Sequence, residues 1–207
     1  MFKTVESNEE ADITEKKSKF IANIFYITSE EEAEEKIRQI KRKHNTARHH
    51  CYAYRIIREN EIINKSSDDG EPSGTAGMPM LNILEKNNFI NILVIVTRYF
   101  GGILLGTGGL VKAYSEVTQK VIEKSKIVIE EEGIELEIEL NYKDLENFKY
   151  YCNKNNINII DVKYSDLATC LIEANFVEKE KITSNTNLNI QKYKIIRKKY
   201  IRKNVEK

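Results

Sequence analysis

The alternation of apolar and polar positions along the 207 residues predicts short strands interleaved with amphipathic helices. Residues 11–14 and 18–27 read as strands, the second rich in β-branched and aromatic side chains. Ser29 is placed to cap a helix running to about Arg42. Glu30, Glu31, Glu32, Glu34 and Glu35 fill its start and Arg38, Lys41, Arg42 and Lys43 its end, an order that complements the helix dipole. Ala33, Ile37 and Ile40 give it one apolar stripe. Residues 47–57 read as a strand with His49, Cys51 and Ala53 on one face and His50, Tyr52 and Tyr54 on the other. The segment ENEIIN, 59–64, continues it as a hairpin arm. Met80, Leu81, Ile83 and Leu84 predict a short helix from about Ala76 to Lys86. Pro79 fits its first turn, where no helical donor is lost. Residues 90–99, INILVIVTRY, are apolar on both faces and read as a buried central strand. Leu110, Ala113, Tyr114, Val117 and Val121 then recur at helical spacing, predicting a helix from about Gly108 to Lys124.

The texture changes at Lys126. IVIEEEGIELEIELNY alternates apolar and acidic residues and reads as a half-exposed strand. A helix over Asp144–Asn155, strands at INIIDVKYS and ATCLIEANF, a polar stretch KEKITSNTNL read as a weak helix or a loop, and a final strand QKYKIIRKKYI follow. That order approximates a ferredoxin-like split βαβ unit. The expected class is α+β, with domains at 1–125 and 126–207 and no Pro/Gly/Ser linker between them.

Composition adds bounds. A hydrophobic fraction of 41% and a charged fraction of 31% describe a soluble globular chain. A net charge of +1 gives no global pull toward nucleic acid or membrane. The last sixteen residues nevertheless carry Lys192, Lys194, Arg197, Lys198, Lys199, Arg202, Lys203 and Lys207 against Glu206 alone. Such a tail is able to touch phosphate, although a solvated basic end is the plainer reading. No apolar run is long enough to span a bilayer, and the N-terminus lacks the apolar core of a signal peptide. Cys51, Cys152 and Cys170 have no CxxC spacing and fit reduced thiols of a cytoplasmic protein.

The candidate chemistry gathers between Ser67 and Tyr114. Eight of the nine glycines (Gly70, Gly74, Gly77, Gly101, Gly102, Gly106, Gly108 and Gly109) lie there, with both prolines, Pro72 and Pro79. A strand, a glycine loop and a helix in succession invite a phosphate site at the helix N-terminus. The familiar motifs fail, however. Thr107 stands where the Walker pattern needs Lys, and Val111 where the dinucleotide pattern needs its last Gly. A looser phosphate or RNA-backbone site would use Arg48, Arg98, Lys112, Thr107 and the amides around Gly101, Gly102, Gly106, Gly108 and Gly109. The alternative is that the glycines let the helix pack closely on the sheet. Asp68, Asp69 and Glu71 are candidates for acid–base work or a divalent cation, or an ordinary turn. His49 is a further catalytic candidate beside Cys51. His49 and His50 point to opposite faces of one strand, so no metal site is expected.

The segments ARHHCYAYRI, SDDGEPSGTAGMPML and VTRYFGGILLGTGGLVKAY, with KKSKFIA at the front, resemble the YigZ/IMPACT family. They cover much of residues 15–124, and the tail resembles the second domain of the bacterial YigZ branch with a shortened second helix. The resemblance implies an N-terminal domain like the second domain of a small-subunit ribosomal protein and domain IV of elongation factor G. It also implies a ferredoxin-like C-terminal domain similar to domain V of that factor. Related folds bind RNA, and sugar and mevalonate kinases use the N-terminal fold too. Eukaryotic IMPACT proteins regulate translation through a partner-binding domain ahead of this one. Only a short segment precedes the first strand here, so that partner is not expected to carry over. Three functions stay open: a non-catalytic cytoplasmic protein binding RNA or the ribosome, an enzyme acting on a phosphorylated small molecule or nucleotide, and a protein-interaction adaptor using the strand at 127–140. No cofactor and no membrane partner is expected.

Overall fold

The computed structural model describes residues 2–58 and 61–204. Glu59 and Asn60, where the predicted hairpin arm begins, and the tail charges Glu206 and Lys207 lie outside the described residues. The chain divides into two compact units, one reaching Ile129 and the other formed by Glu130–Lys203.

The first unit is built on a five-stranded antiparallel sheet. Its strands are β2 (Glu9–Glu15), β3 (Ser18–Tyr26), β4 (His49–Arg58), β5 (Glu61–Ser67) and β6 (Ile92–Tyr99), ordered β2-β3-β6-β4-β5. The short N-terminal strand β1 (Phe2–Val5) has no clear sequence signal and was not expected. The apolar run of β6 takes the central place expected of it, and helices cover both faces of the sheet. On one face, Phe20, Ala22, Cys51, Ala53, Val94 and Val96 form a core with α2 (Gly77–Lys86) and α3 (Gly106–Lys124). On the other, Tyr54, Ile56, Leu93 and Ile95 pack with Ala33 and Ile40 of α1 (Glu30–Lys43). Cys51 and Tyr54 therefore fall on opposite faces, as the alternation along β4 requires. Ser29 caps α1 by accepting from the Glu32 amide at 3.2 Å, while the Glu32 carboxylate accepts from the Thr28 amide at 2.7 Å. Helix α3 opens at Gly106, two residues earlier than its apolar spacing indicates, because periodicity marks only the turns that pack.

The second unit runs β7 (Ile127–Leu140), α4 (Tyr142–Lys154), β8 (Asn158–Tyr164), β9 (Ala168–Ala174), α5 (Phe176–Thr183), a single 3₁₀ turn at Thr186–Leu188, and β10 (Lys192–Asn204). Within it β10 pairs with β7, β7 with β9 and β9 with β8, a path β10-β7-β9-β8. Leu136, Ile138, Phe148, Cys152, Cys170 and Ile172 lie at the centre of its core. The polar stretch that sequence left ambiguous is thus a short helix followed by a tight turn. Its start is fixed by a capping box in which Asn175 and Glu178 satisfy each other's backbone amides at 2.8 Å. Among the described residues, no helix is long and apolar enough to cross a membrane.

Candidate functional site

The loop after β5 is organised by Asp68. One carboxylate oxygen accepts from the amides of Ala76 at 3.0 Å and Gly77 at 2.8 Å, and the other from Gly74 at 2.8 Å. Helix α2 has no side-chain cap from its own N-cap residue, so Asp68 satisfies its orphan donors from across the loop. A Cβ on Gly77 would lie 2.7 Å from the Ser67 amide nitrogen, so only glycine lets the loop close this way. Asp69 binds outward instead: it accepts from the His50 amide at 2.7 Å and pairs with Lys41 at 2.8 Å. Burial pushes its acidity down, yet the Lys41 and His50 hydrogen bonds prevail and hold its pKa below the ordinary value. His49 meets the Asp69 carbonyl oxygen at 3.0 Å through Nδ1. Desolvation lowers the pKa of His50, outweighing its contacts with the His44 carbonyl and Asp69.

Glu71 is different. Its side chain is 3% exposed and receives both Arg98 and Tyr114. Arg98 Nη1 donates to the two carboxylate oxygens at 2.8 and 3.0 Å, and the Tyr114 hydroxyl donates to Oε1 at 2.8 Å. The guanidinium lies 5.4 Å from the Phe20 ring centroid and 5.6 Å from that of Phe100, and Nε has no hydrogen-bond partner among the described residues. The Cys51 sulfur sits 3.3 Å from the Tyr114 hydroxyl and 3.0 Å from the Asp68 carbonyl oxygen. Burial pushes the Cys51 thiol up to about 12 and the Tyr114 phenol up as well, so both stay protonated and the thiol is not a nucleophile.

The loops at Ser67–Gly77 and Arg98–Gly109 therefore meet, and between them lies a cleft of about 410 Å³. Glu71 and Pro72 line it from one loop, Arg98, Phe100 and Leu104–Thr107 from the other, and Arg48 and His49 from the start of β4. The glycines divide by role. A Cβ on Gly101 would fall 2.0 Å from the Lys17 carbonyl carbon, so this glycine admits the hairpin between β2 and β3. Cβ atoms on Gly102, Gly106 and Gly108 would meet nothing within 4 Å. Close packing of α3 on the sheet does not explain these three; Gly102 and Gly106 hold positive φ, 85° and 74°, and Gly108 is exposed.

The expected site residues separate accordingly. Asp68 and Asp69 are engaged in holding the loop, and Glu71 and Arg98 neutralise each other in the cleft floor rather than standing free for metal or phosphate. Among the described residues, no group of three or more His, Cys, Asp or Glu side chains is placed to hold a metal ion. Arg48 and Lys112 are exposed and have no ion-pair or hydrogen-bond partner among the described residues. Strand β7, whose alternating acidic face suggested an adaptor surface, lies between β9 and β10. Its Glu135 is buried and engaged by Arg197 at 2.6 Å and Lys199 at 3.4 Å. Sequence reasoning did not single out Ser18, Phe100 or Tyr114, nor Lys16 and Lys17 as site residues. The two lysines fill the gap between the first two predicted strands, which was the available signal.

A family model described as the Impact N-terminal domain matches residues 16–122, a span holding both loops, the cleft and most of α3. IMPACT family member YvyE of Bacillus subtilis is 50% identical over 113 residues, 55% of this chain and 52% of that protein. An IMPACT family member of Haemophilus influenzae is 38% identical over 146 residues, 70% of this chain and 71% of that protein. The chain belongs to the IMPACT family. Its match spans about half the length of YvyE. A crystal structure titled as that of a hypothetical protein is 28% identical, covers 92% of this chain and 95% of its own, and superposes with a TM-score of 0.62. The IMPACT-type fold of this chain is thus shared across most of its length with a solved structure.

Proposed function

We propose that this IMPACT family protein is a non-catalytic, cytoplasmic RNA-binding protein linked to translation regulation, holding RNA or the ribosome at the cleft of its first unit. One observation carries the reading. The loop carboxylates are already consumed, while Arg48 on the cleft rim and Lys112, exposed on α3, have no such partner among the described residues. The uncompensated charge at the cleft is positive, which suits a phosphate backbone. The link to translation rests on the family. We read the first unit as similar to the ribosomal-protein and elongation-factor domains, and the second as ferredoxin-like; the strand order β10-β7-β9-β8 supports the latter.

The test is binding of tRNA, rRNA and ribosomes at rising salt. Arg48→Ala and Lys112→Ala weaken binding and each flatten the log–log salt slope by roughly 0.7 to 0.9. Arg98→Ala is a poor probe, because it strands a buried Glu71. Absence of binding to all three at low salt overturns the proposal. The enzyme reading keeps one supporting feature, the carboxylate and phenol of Glu71 and Tyr114 in contact beside the open cleft. A rise in melting temperature with a nucleotide or sugar phosphate and magnesium would favour it.

A further inference from the structure

We infer that the RNA taken by this cleft is single-stranded, with Phe100 as a base-stacking platform and the Lys16–Lys17 hairpin tip as a phosphate-binding lip; this rests on the RNA reading above. Phe100 follows β6 at the cleft and is 52% exposed, a large cost for an aromatic ring unless something covers it. The Arg98 guanidinium, itself fixed by Glu71, lies 5.6 Å from the ring centroid and holds it in place. Leu104, at 82% exposure, adds apolar surface beside it. An aromatic ring flanked by an apolar side chain and free cations matches an unstacked base with its phosphates. It does not match a duplex, whose bases are already stacked.

The lysines supply an independent observation. Glu15 pairs with Ser18, so Lys16 and Lys17 alone make the turn between β2 and β3, and both have positive φ, at 44° and 65°. Two-residue hairpins of this kind favour Asn-Gly, and a side chain in the left-handed region is strained there. Both lysines are exposed and have no partner among the described residues. The Lys17 backbone packs on Gly101, the residue after Phe100, which brings the turn and its two unpaired cations to the same edge as the ring. The fold thus keeps charge where turn chemistry favours neutral residues.

The chain contains no tryptophan, so Phe100→Trp introduces a single reporter. Binding of an oligouridine and of a duplex RNA of equal length is measured at low salt by anisotropy, with the indole emission of Phe100→Trp followed in parallel. The expected result is preference for the single strand, quenching of that indole emission when Phe100→Trp binds, and about five- to hundredfold weaker binding by Phe100→Ala with an unchanged melting temperature. The double change Lys16→Asn, Lys17→Gly melts higher than the parent and binds more weakly, with a shallower salt slope. Duplex RNA binding as tightly as the single strand, or unquenched indole emission in a saturated complex of Phe100→Trp, overturns the stacking role while leaving RNA binding intact. Unchanged affinity in the lysine double variant overturns the lip. No binding of either RNA, or of tRNA, rRNA and ribosomes, overturns the RNA reading itself and this inference with it.

Discussion

The cleft of the first unit and the sheet of the second unit both carry many charges, but they balance them in opposite ways. In the second unit, carboxylates of β7 and β9 meet cations of β10: Glu135 with Arg197 and Lys199, and Glu173 with Lys199 at 2.6 Å. Lys203 of the basic tail is likewise held by Glu178 at 2.8 Å. At the cleft of the first unit, the carboxylates are spent on backbone amides, on Lys41 and on one buried arginine, and Arg48 on its rim is left without a carboxylate partner among the described residues. Counting charges would choose the tail as the anion-binding region. Following each charge to its partner takes Arg197, Lys199 and Lys203 out of that count and leaves Arg48 in at the cleft.

The largest expected effect comes from the cleft floor. Glu71→Ala leaves Arg98 buried without its counter-ion and costs about 3–5 kcal/mol, read as a lowered midpoint in urea unfolding. Asp68→Ala orphans the amides of Gly74, Ala76 and Gly77 and costs about 2–4 kcal/mol, with faster amide exchange at the start of α2. Asp68→Asn keeps an acceptor and loses less. Glu135→Gln, on the compensated sheet, shifts the melting temperature by at most a few degrees, because the Arg197 side chain it pairs with is 65% exposed. A loss there as large as that of Glu71→Ala would erase the distinction between the two regions.

A pH scan gives the smallest effect. Desolvation lowers the folded-state pKa of His44 and of His50 from 6.5. The unfolded chain then binds protons first as pH falls, so stability is full above about pH 6.5 and declines below it, until the folded pKa values are reached. The Asp69 carboxyl, held below its ordinary value of 3.8, contributes stability that is lost only in a more acidic window. His50→Gln flattens the decline near pH 6, measured by thermal unfolding between pH 7.5 and 5. An unchanged decline in His50→Gln assigns the loss to His44.

The elements legible in the sequence were those whose packing is local in cause. β6 declared itself by apolar residues on both faces, α1 by Ser29 and the acidic-to-basic order behind it, and the faces of β4 by simple alternation. The start of α5 was written in Asn175 and Glu178, but its polar residues gave no periodicity to anchor it. The candidate site was legible as a set of residues and not as a circuit. Glu71 and Arg98 are 27 positions apart, and nothing near either one signals that they are buried together. The same holds for Asp68, whose turn-like context hides its service to an α2 terminus nine residues away. Lys16 and Lys17 read as ordinary surface charge until Gly101 places their turn beside Phe100.

RNA binding is assigned to Arg48 at the cleft and Lys112 on α3 rather than to the basic tail. Salt-dependent binding of tRNA or ribosomes to the parent, to Arg48→Ala/Lys112→Ala and to Lys194→Ala/Arg197→Ala tests it directly. The account predicts a loss of affinity and a shallower salt slope in the cleft pair, with the tail pair matching the parent. Loss of affinity in the tail pair with the cleft pair unchanged would contradict it.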